Sequence, residues 1–309
     1  MKNYILISCL ILLVSVSCLK QPKEKFESLF NGKDLTNWTL ANPGGFEVID
    51  NELITRSTGA GNDIFSEQQY ANFILRLEFM LSEVGNSGVF IRRNPLIPGD
   101  GFEVQLLAPW TPWRDDLHCT GSMYGHVAVT NRPDETTGLW YRMEIKCDRN
   151  IVTVSVNDTV TTVADIDTVL TMADKSFSGV IGLQGNHAEK EGQFVKFRNI
   201  CIKNLDAEPD YVIKGFYCQN GRLRKLAGDA AVNLGAQMIQ PLADLMSGDN
   251  PMVKTGAKQA LFDIVALASD PAGDMKAKKK VISALEKSIK TTPSEITSSY
   301  LLWLSGLVK

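Results

Sequence analysis

One stretch of the chain, Ser87 to Gly125, gathers residue types able to move protons and hold a developing charge. Glu103 can take or deliver a proton, His118 is of the residue type that can serve as acid or base near neutral pH, and Arg92 carries a permanent charge that could stabilise an oxyanion. Their placement follows from period-two alternation. In GFEVQLL (101–107), Phe102, Val104 and Leu106 point one way and Glu103 and Gln105 the other. In SGVFIRRN (87–94), Val89 and Ile91 face a core, which leaves Phe90 and Arg92 on the opposite side. If the two strands are neighbours, Arg92, Glu103 and Gln105 share one polar face. Tyr124 joins them from HCTGSMYG (118–125), and Gln184 has the same parity because Ile181 and Leu183 alternate with it toward the core. Gln105, Tyr124 and Gln184 are suited to binding hydroxyl groups. Periodicity alone is equally satisfied by a solvated carboxylate and a surface ion pair.

Aromatic residues flank this patch. Trp110 and Trp113 lie in the loop APWTPWRDD, and Trp140 begins a strand that carries Glu144 on the same face. Flat rings suit the apolar faces of pyranoses, so a rim for a sugar cleft is one reading; a loop pinned by its own aromatics is the other.

The elements that must position these groups are short strands. From Phe26 to about Asp206, alternating runs such as FILRLEFML (73–81), YRMEIKC (141–147), IVTVSVN (151–157) and VKFRNICIK (195–203) are separated by turn signals at NPGG, IPGDG, NRPD and CDRN. That pattern predicts a mainly β domain over 26–206, a two-sheet sandwich. Residues 207–224 read as a connector, and 225–309 as a small all-α domain with helices at 225–246, 251–268, 274–290 and 293–307. Pro251 and Pro293 mark helix starts. The second and fourth segments begin about 42 residues apart, near the period of HEAT-type repeats, so the tail is expected to be HEAT-like and able to receive a protein partner.

Lys2 followed by an apolar run from Tyr4 to Val16 predicts a signal peptide over 1–17. Ser15-Val16-Ser17-Cys18 resembles a bacterial lipoprotein cleavage site, with Cys18 lipidated and 18–25 a polar tether. The expected location is therefore the cell envelope, membrane-attached through a lipid and facing periplasm or surface. Cys119, Cys147, Cys201 and Cys218 remain; an exported chain permits disulfides between them, and free buried thiols are the alternative. No pair has C-x-x-C spacing, which argues against zinc. A net charge of −3 argues against nucleic acid as a partner.

Several of these pieces together carry a resemblance. LFNGKDLTNW (29–38), FEVIDNEL (46–53), NSGVFIR (86–92), GFEVQLL (101–107), HCTGSMYG (118–125), GLWYRMEI (138–145), GVIGLQGN (179–186) and VKFRNICIKNL (195–205) resemble, in order, the 3-keto-disaccharide hydrolase family. The resemblance implies a concanavalin-like jelly roll acting on glycosides already oxidised at C3. It favours Glu103, His118 and Arg92 as catalytic, and suggests that His187, after GLQGN, contacts sugar or a cation. A divalent cation could assist Arg92, but no acidic cluster identifies its ligands, and no cofactor is otherwise implied. Where relatives commonly carry Asp after the EVQ-L-L run, this chain has Ala108-Pro109. A 3-keto group acidifies the C2 proton, so one base, one acid and a cation at the 3-oxygen suffice for elimination of the C1 substituent, followed by hydration. Two other readings stay open: a lectin-like carbohydrate-binding module, and an envelope adaptor working through the helices.

Overall fold

The computed structural model describes residues 25–56, 62–112, 114–185 and 192–308. Cys18 with the expected leader, Trp113 and His187 lie outside the described residues.

Among the described residues the strands are β1 (Glu27–Ser28), β2 (Trp38–Leu40), β3 (Phe46–Ile49), β4 (Glu52–Thr55), β5 (Ile64–Tyr70), β6 (Phe73–Leu81), β7 (Asn86–Arg93), β8 (Phe102–Leu107), β9 (Trp140–Asp148), β10 (Ile151–Val156), β11 (Thr159–Asp165), β12 (Gly179–Leu183) and β13 (Val195–Asn204). They form two antiparallel sheets. One runs β11-β10-β9-β6-β13-β4-β3, with β1 also paired to β13; the other runs β2-β5-β12-β7-β8. The alternation in the sequence is what folds them face to face. Phe73, Leu75, Leu77, Phe79 and Leu81 of β6 turn inward and meet Val89, Ile91, Val104, Leu106, Ile181 and Leu183 from the facing sheet. The product is the expected jelly-roll sandwich, with one continuous core between its layers.

Beyond β8 the chain doubles back along the sheet edge. Met123 pairs with Val104 and with Val127, the Tyr124 N–H donates to the Glu103 carbonyl at 2.9 Å, and the Gln105 N–H to the Ser122 carbonyl at 3.1 Å. This return segment covers an edge that would otherwise expose unpaired backbone groups.

The helices are α1 (Pro209–Gly215), α2 (Gly221–Leu234), α3 (Ile239–Ser247), α4 (Pro251–Ala268), α5 (Met275–Thr291) and α6 (Glu295–Val308). The last three lie within two residues of their expected spans, and the Asn250 and Asp274 side chains cap α4 and α5. The expected first helix is two helices, because Gly235 adopts φ 63° and breaks it. The expected connector holds α1 and the first turn of α2, with Val212 and Phe216 buried in the helical core. The helices also grip the sandwich. Leu223 of α2 is part of the sandwich core, Tyr211 donates to Asp148 at 2.8 Å, and the Arg222 guanidinium donates to the carbonyls of Ala173 and Lys175. Cys119, Cys147, Cys201 and Cys218 are all free thiols. No helix of the described residues is long and apolar enough to cross a membrane.

Candidate active site

The outer face of the five-stranded sheet carries the chemistry, in two cross-strand rows. Glu103 of β8 lies opposite Phe90 of β7 on one side and Tyr124 of the return segment on the other; Phe90 in turn faces Gly182 of β12, and Gly182 faces Phe65 of β5. The second row has Gln105 opposite Gly88, with the Gln184 N–H donating to the Gly88 carbonyl at 2.9 Å. Just beyond Gln184, Asp63 accepts from the Gly185 N–H at 3.0 Å.

The two glycines create the space. A Cβ at Gly88 would lie 2.7 Å from Glu103 Cγ, and one at Gly182 would lie 2.7 Å from Phe65 Cδ1. Without those carbons, Glu103 leans across Gly88 and accepts from Gln184 Nε2 at 2.9 Å. Gln184 is fixed from behind, since its carbonyl accepts from Ser87 Oγ at 2.6 Å. Phe65 and Phe90 stack with centroids 6.2 Å apart and form an apolar floor with Val180.

This setting alters Glu103. Burial pushes its proton affinity up, the negative charge of Asp63 pushes it further, and Arg93 and the Gln184 hydrogen bond pull it partly back, leaving a pKa of about 7. At neutral pH such a carboxyl is divided between acid and base, and can both take and return a proton. His118 sits close by: its ring meets Tyr124 edge-on at 4.9 Å, and its Nδ1 pairs with Asp115 Oδ1 at 2.7 Å. That hydrogen bond holds the Asp115 carboxyl below its usual range. Tyr124 is 37% exposed, so the phenol borders solvent beside Glu103.

Four expectations need correcting. Arg92 does not share the Glu103 face. It has φ 51° and is fully buried, and its guanidinium donates to the Ala71 carbonyl from Nε (2.9 Å) and Nη2 (2.7 Å) and to the Arg149 carbonyl from Nη2 (2.8 Å). A bulge in β7 breaks the alternation there, so Arg92 ties loops at the sandwich end. Gln105 has the right parity but is buried, and its Oε1 accepts from the Leu106 N–H at 3.1 Å. Trp140 and Glu144 belong to β9 of the other sheet, on the far side of the sandwich. There Arg198 stacks on Trp140 at 3.9 Å, and Arg76 pairs with Glu144 at 2.7 Å on the wall of a charged groove of about 570 Å³. Trp110 is half-buried and packs against the sandwich core. Glu103, His118, Tyr124 and Gln184 are the expected residues that the fold brings together.

Asp63, Arg93, Gly88 and Phe65 belong to the same face and were not singled out by spacing, whereas Phe90 lies there as its alternation with Val89 and Ile91 required. Only Gly88 left a signal, since a glycine inside a strand pattern marks a close approach. Among the described residues no group of three or more His, Cys, Asp or Glu could hold a metal ion.

The site is thus an antiparallel jelly roll presenting a carboxyl of neutral proton affinity, an amide, a phenol and apolar rings on one outer sheet face. The chain belongs to the 3-keto-alpha-glucoside-1,2-lyase-like domain family, whose profile matches residues 25–203. A candidate glycosyl hydrolase from Parabacteroides distasonis is 26% identical, with TM-score 0.52, over 59% of this chain and 100% of that one. A second from the same organism is 22% identical with TM-score 0.50, over 58% of this chain and 94% of that one, and supports the fold. No protein of curated function matches the chain significantly.

Proposed function

We propose that the sandwich cleaves the glycosidic bond of 3-keto-glycosides or 3-keto-disaccharides by elimination and hydration. Glu103, as the carboxylate, takes the proton from C2, and the electron pair delocalises onto the 3-oxygen as an enolate. The enolate collapses to restore the ketone, forming the C1=C2 bond while the C1–O bond breaks and the leaving oxygen takes a proton. Water then adds at C1 and a proton returns to C2, which completes net hydrolysis. This chemistry needs one carboxyl able to work in both directions, not the two opposed carboxylates of ordinary glycosidases. The observation that carries the reading is the Glu103 carboxyl itself, leaning over Gly88 to Gln184 with a pKa of about 7. His118, steadied by Asp115 and beside Tyr124, is the candidate partner acid, and Tyr124 and Gln184 are candidate sugar contacts. The 3-keto-alpha-glucoside-1,2-lyase-like description of the family supports the substrate class and the eliminative route.

The test is substrate choice. The purified full chain should convert a 3-keto-glucoside while leaving the unoxidised parent untouched, and Glu103→Gln should lose about 10²–10⁴-fold in rate. Turnover of the parent at a comparable rate, or full activity in the variant, would contradict the reading. The apolar leader ending at Cys18 supports a location in the cell envelope on a lipid anchor, which mass spectrometry of the mature N-terminus tests.

A further inference from the structure

The bulge that removes Arg92 from the site brings its neighbour in. Along β7 and β12, Phe90 lies opposite Gly182 and Arg93 opposite Val180, so three steps on one strand match two on the other. The extra residue is Arg92, with φ 51°, and beyond it the parity is reversed. Arg93 thereby returns to the face that carries Phe90, Val180 and Glu103. Its guanidinium folds back over the Phe90 ring, 5.2 Å from the centroid, and Phe90 is the direct cross-strand partner of Glu103. Nη1 is anchored on the Asp100 carbonyl at 2.6 Å. Nε is buried with no hydrogen-bond partner among the described residues, and the same holds for Gln184 Oε1 on the other side of Glu103. A buried donor and a buried acceptor left open on either side of one carboxyl call for an explanation, because such groups normally find partners.

We propose that Arg93 is the cation of this site, its guanidinium facing the substrate oxygen that gains negative charge when Glu103 removes a proton from the adjacent carbon. The ligand chemistry is a sugar ketone, and the inference rests on the elimination reading above. As the C2–H bond breaks, its electron pair moves onto the 3-oxygen, and the planar guanidinium stabilises that oxygen through charge and a donated N–H. The open Gln184 Oε1 accepts from a neighbouring hydroxyl, which fixes the ring over Phe90. Among the described residues, the charges acting on Glu103 are Asp63, ahead of β5, and Arg93, from β7; they act on its proton in opposite directions.

The experiment compares the wild-type full chain with Arg93→Gln and Arg93→Lys on a 3-keto-glucoside, reading kcat and KM separately across pH, with the thermal transition of each protein. Arg93→Gln should lower kcat by about 10²-fold, change KM much less, and melt only slightly below the wild type, since it gives up a single hydrogen bond, to the Asp100 carbonyl. Losing the positive charge should also move the acidic limb of kcat/KM to higher pH, which a merely structural residue would not do. Arg93→Lys, charged but without the fork, should recover part of kcat and restore the pH limb. If wild type turns over the substrate and Arg93→Gln matches it in kcat and pH profile, the assignment of Arg93 is wrong while the functional reading stands. An Arg93→Lys variant that melts with the wild type yet behaves no better than Arg93→Gln contradicts it too. If wild type itself fails on the keto sugar, the functional reading falls and this proposal falls with it.

Discussion

Glu103 occupies the volume that a side chain at Gly88 would fill: a Cβ built there comes within 2.7 Å of Glu103 Cγ and closer still to Oε1. The glycine is not needed for backbone freedom, since its φ is not positive. It is needed as an absence. It lets the carboxyl reach across one strand to Gln184 on the next, and the sheet holds both by backbone pairing.

Gly88→Ala should therefore act as a displaced-carboxyl variant. The added methyl forces Glu103 away from Gln184 while the core side of β7 keeps its contacts. Misplacing a reacting group by about 1 Å costs on the order of 10²-fold, so kcat should fall by roughly that factor with circular dichroism unchanged. Wild-type kcat in a folded Gly88→Ala protein would mean that Glu103 does not act from its observed position.

The raised proton affinity of Glu103 has a cost that stability measurements can read. A carboxyl at about 7 when folded and at the ordinary 4.5 when unfolded binds its proton more tightly in the folded state. Stability from this group is thus fully present below about pH 4.5 and is lost as pH rises to about 7. The shift corresponds to about 3 kcal/mol at most. Glu103→Gln should accordingly melt above wild type at pH 8 and with it near pH 4.5, while losing activity. An equal difference at both pH values would contradict the assigned ionisation.

The two adjacent arginines should separate in opposite ways. Arg92→Met removes three donated hydrogen bonds from a fully buried guanidinium and leaves the Ala71 and Arg149 carbonyls short of partners. Hydrogen bonds to charged groups are worth about 1.5–3 kcal/mol each, so a loss of about 3 kcal/mol or more is expected, a drop in Tm of roughly 6–12 °C. Arg93→Gln gives up one such bond, to the Asp100 carbonyl, and should lower Tm distinctly less. Equal effects on Tm would show that the bulge does not divide their roles.

The sandwich closes its own core, so residues 25–206 should fold without the helices. They should also melt lower, because the fragment loses Leu223 from the sandwich core and the Tyr211 hydrogen bond to Asp148. A cooperative transition in the isolated fragment, below that of the whole chain, is the expected result. An aggregated fragment would mean that the α2 contact is indispensable.

The parity of Glu103 and Gln184 was legible in the sequence because regular strands alternate, and β8 and the end of β12 keep that alternation where those residues lie. Arg92 was misread for the converse reason. A single extra residue reverses every later side chain, and nothing in SGVFIRRN distinguishes a bulge at Arg92 from a straight strand. Trp140 and Glu144 were correctly given one shared face, but alternation does not say to which sheet a strand belongs. That is decided by pairing far along the chain, here between β9 and β6. Asp63 is invisible for the same reason, since it meets Gly185 and acts on Glu103 only through the β5–β12 pairing. The helical starts were read well because proline and capping residues act locally, whereas the break at Gly235 depends on how two helices pack.

The central claim, that Glu103 removes the C2 proton of a 3-keto sugar, is tested most directly in D₂O. Wild-type protein and Glu103→Gln are incubated with a 3-keto-glucoside, and early product is analysed for deuterium at C2, against an enzyme-free control for spontaneous exchange. The account predicts wild-type product carrying deuterium at C2 from the first turnovers, and a rate of both labelling and cleavage that falls together in Glu103→Gln. Cleavage by wild type to a product that keeps its original hydrogen at C2 would contradict it, for direct displacement at C1 leaves the C2–H bond intact.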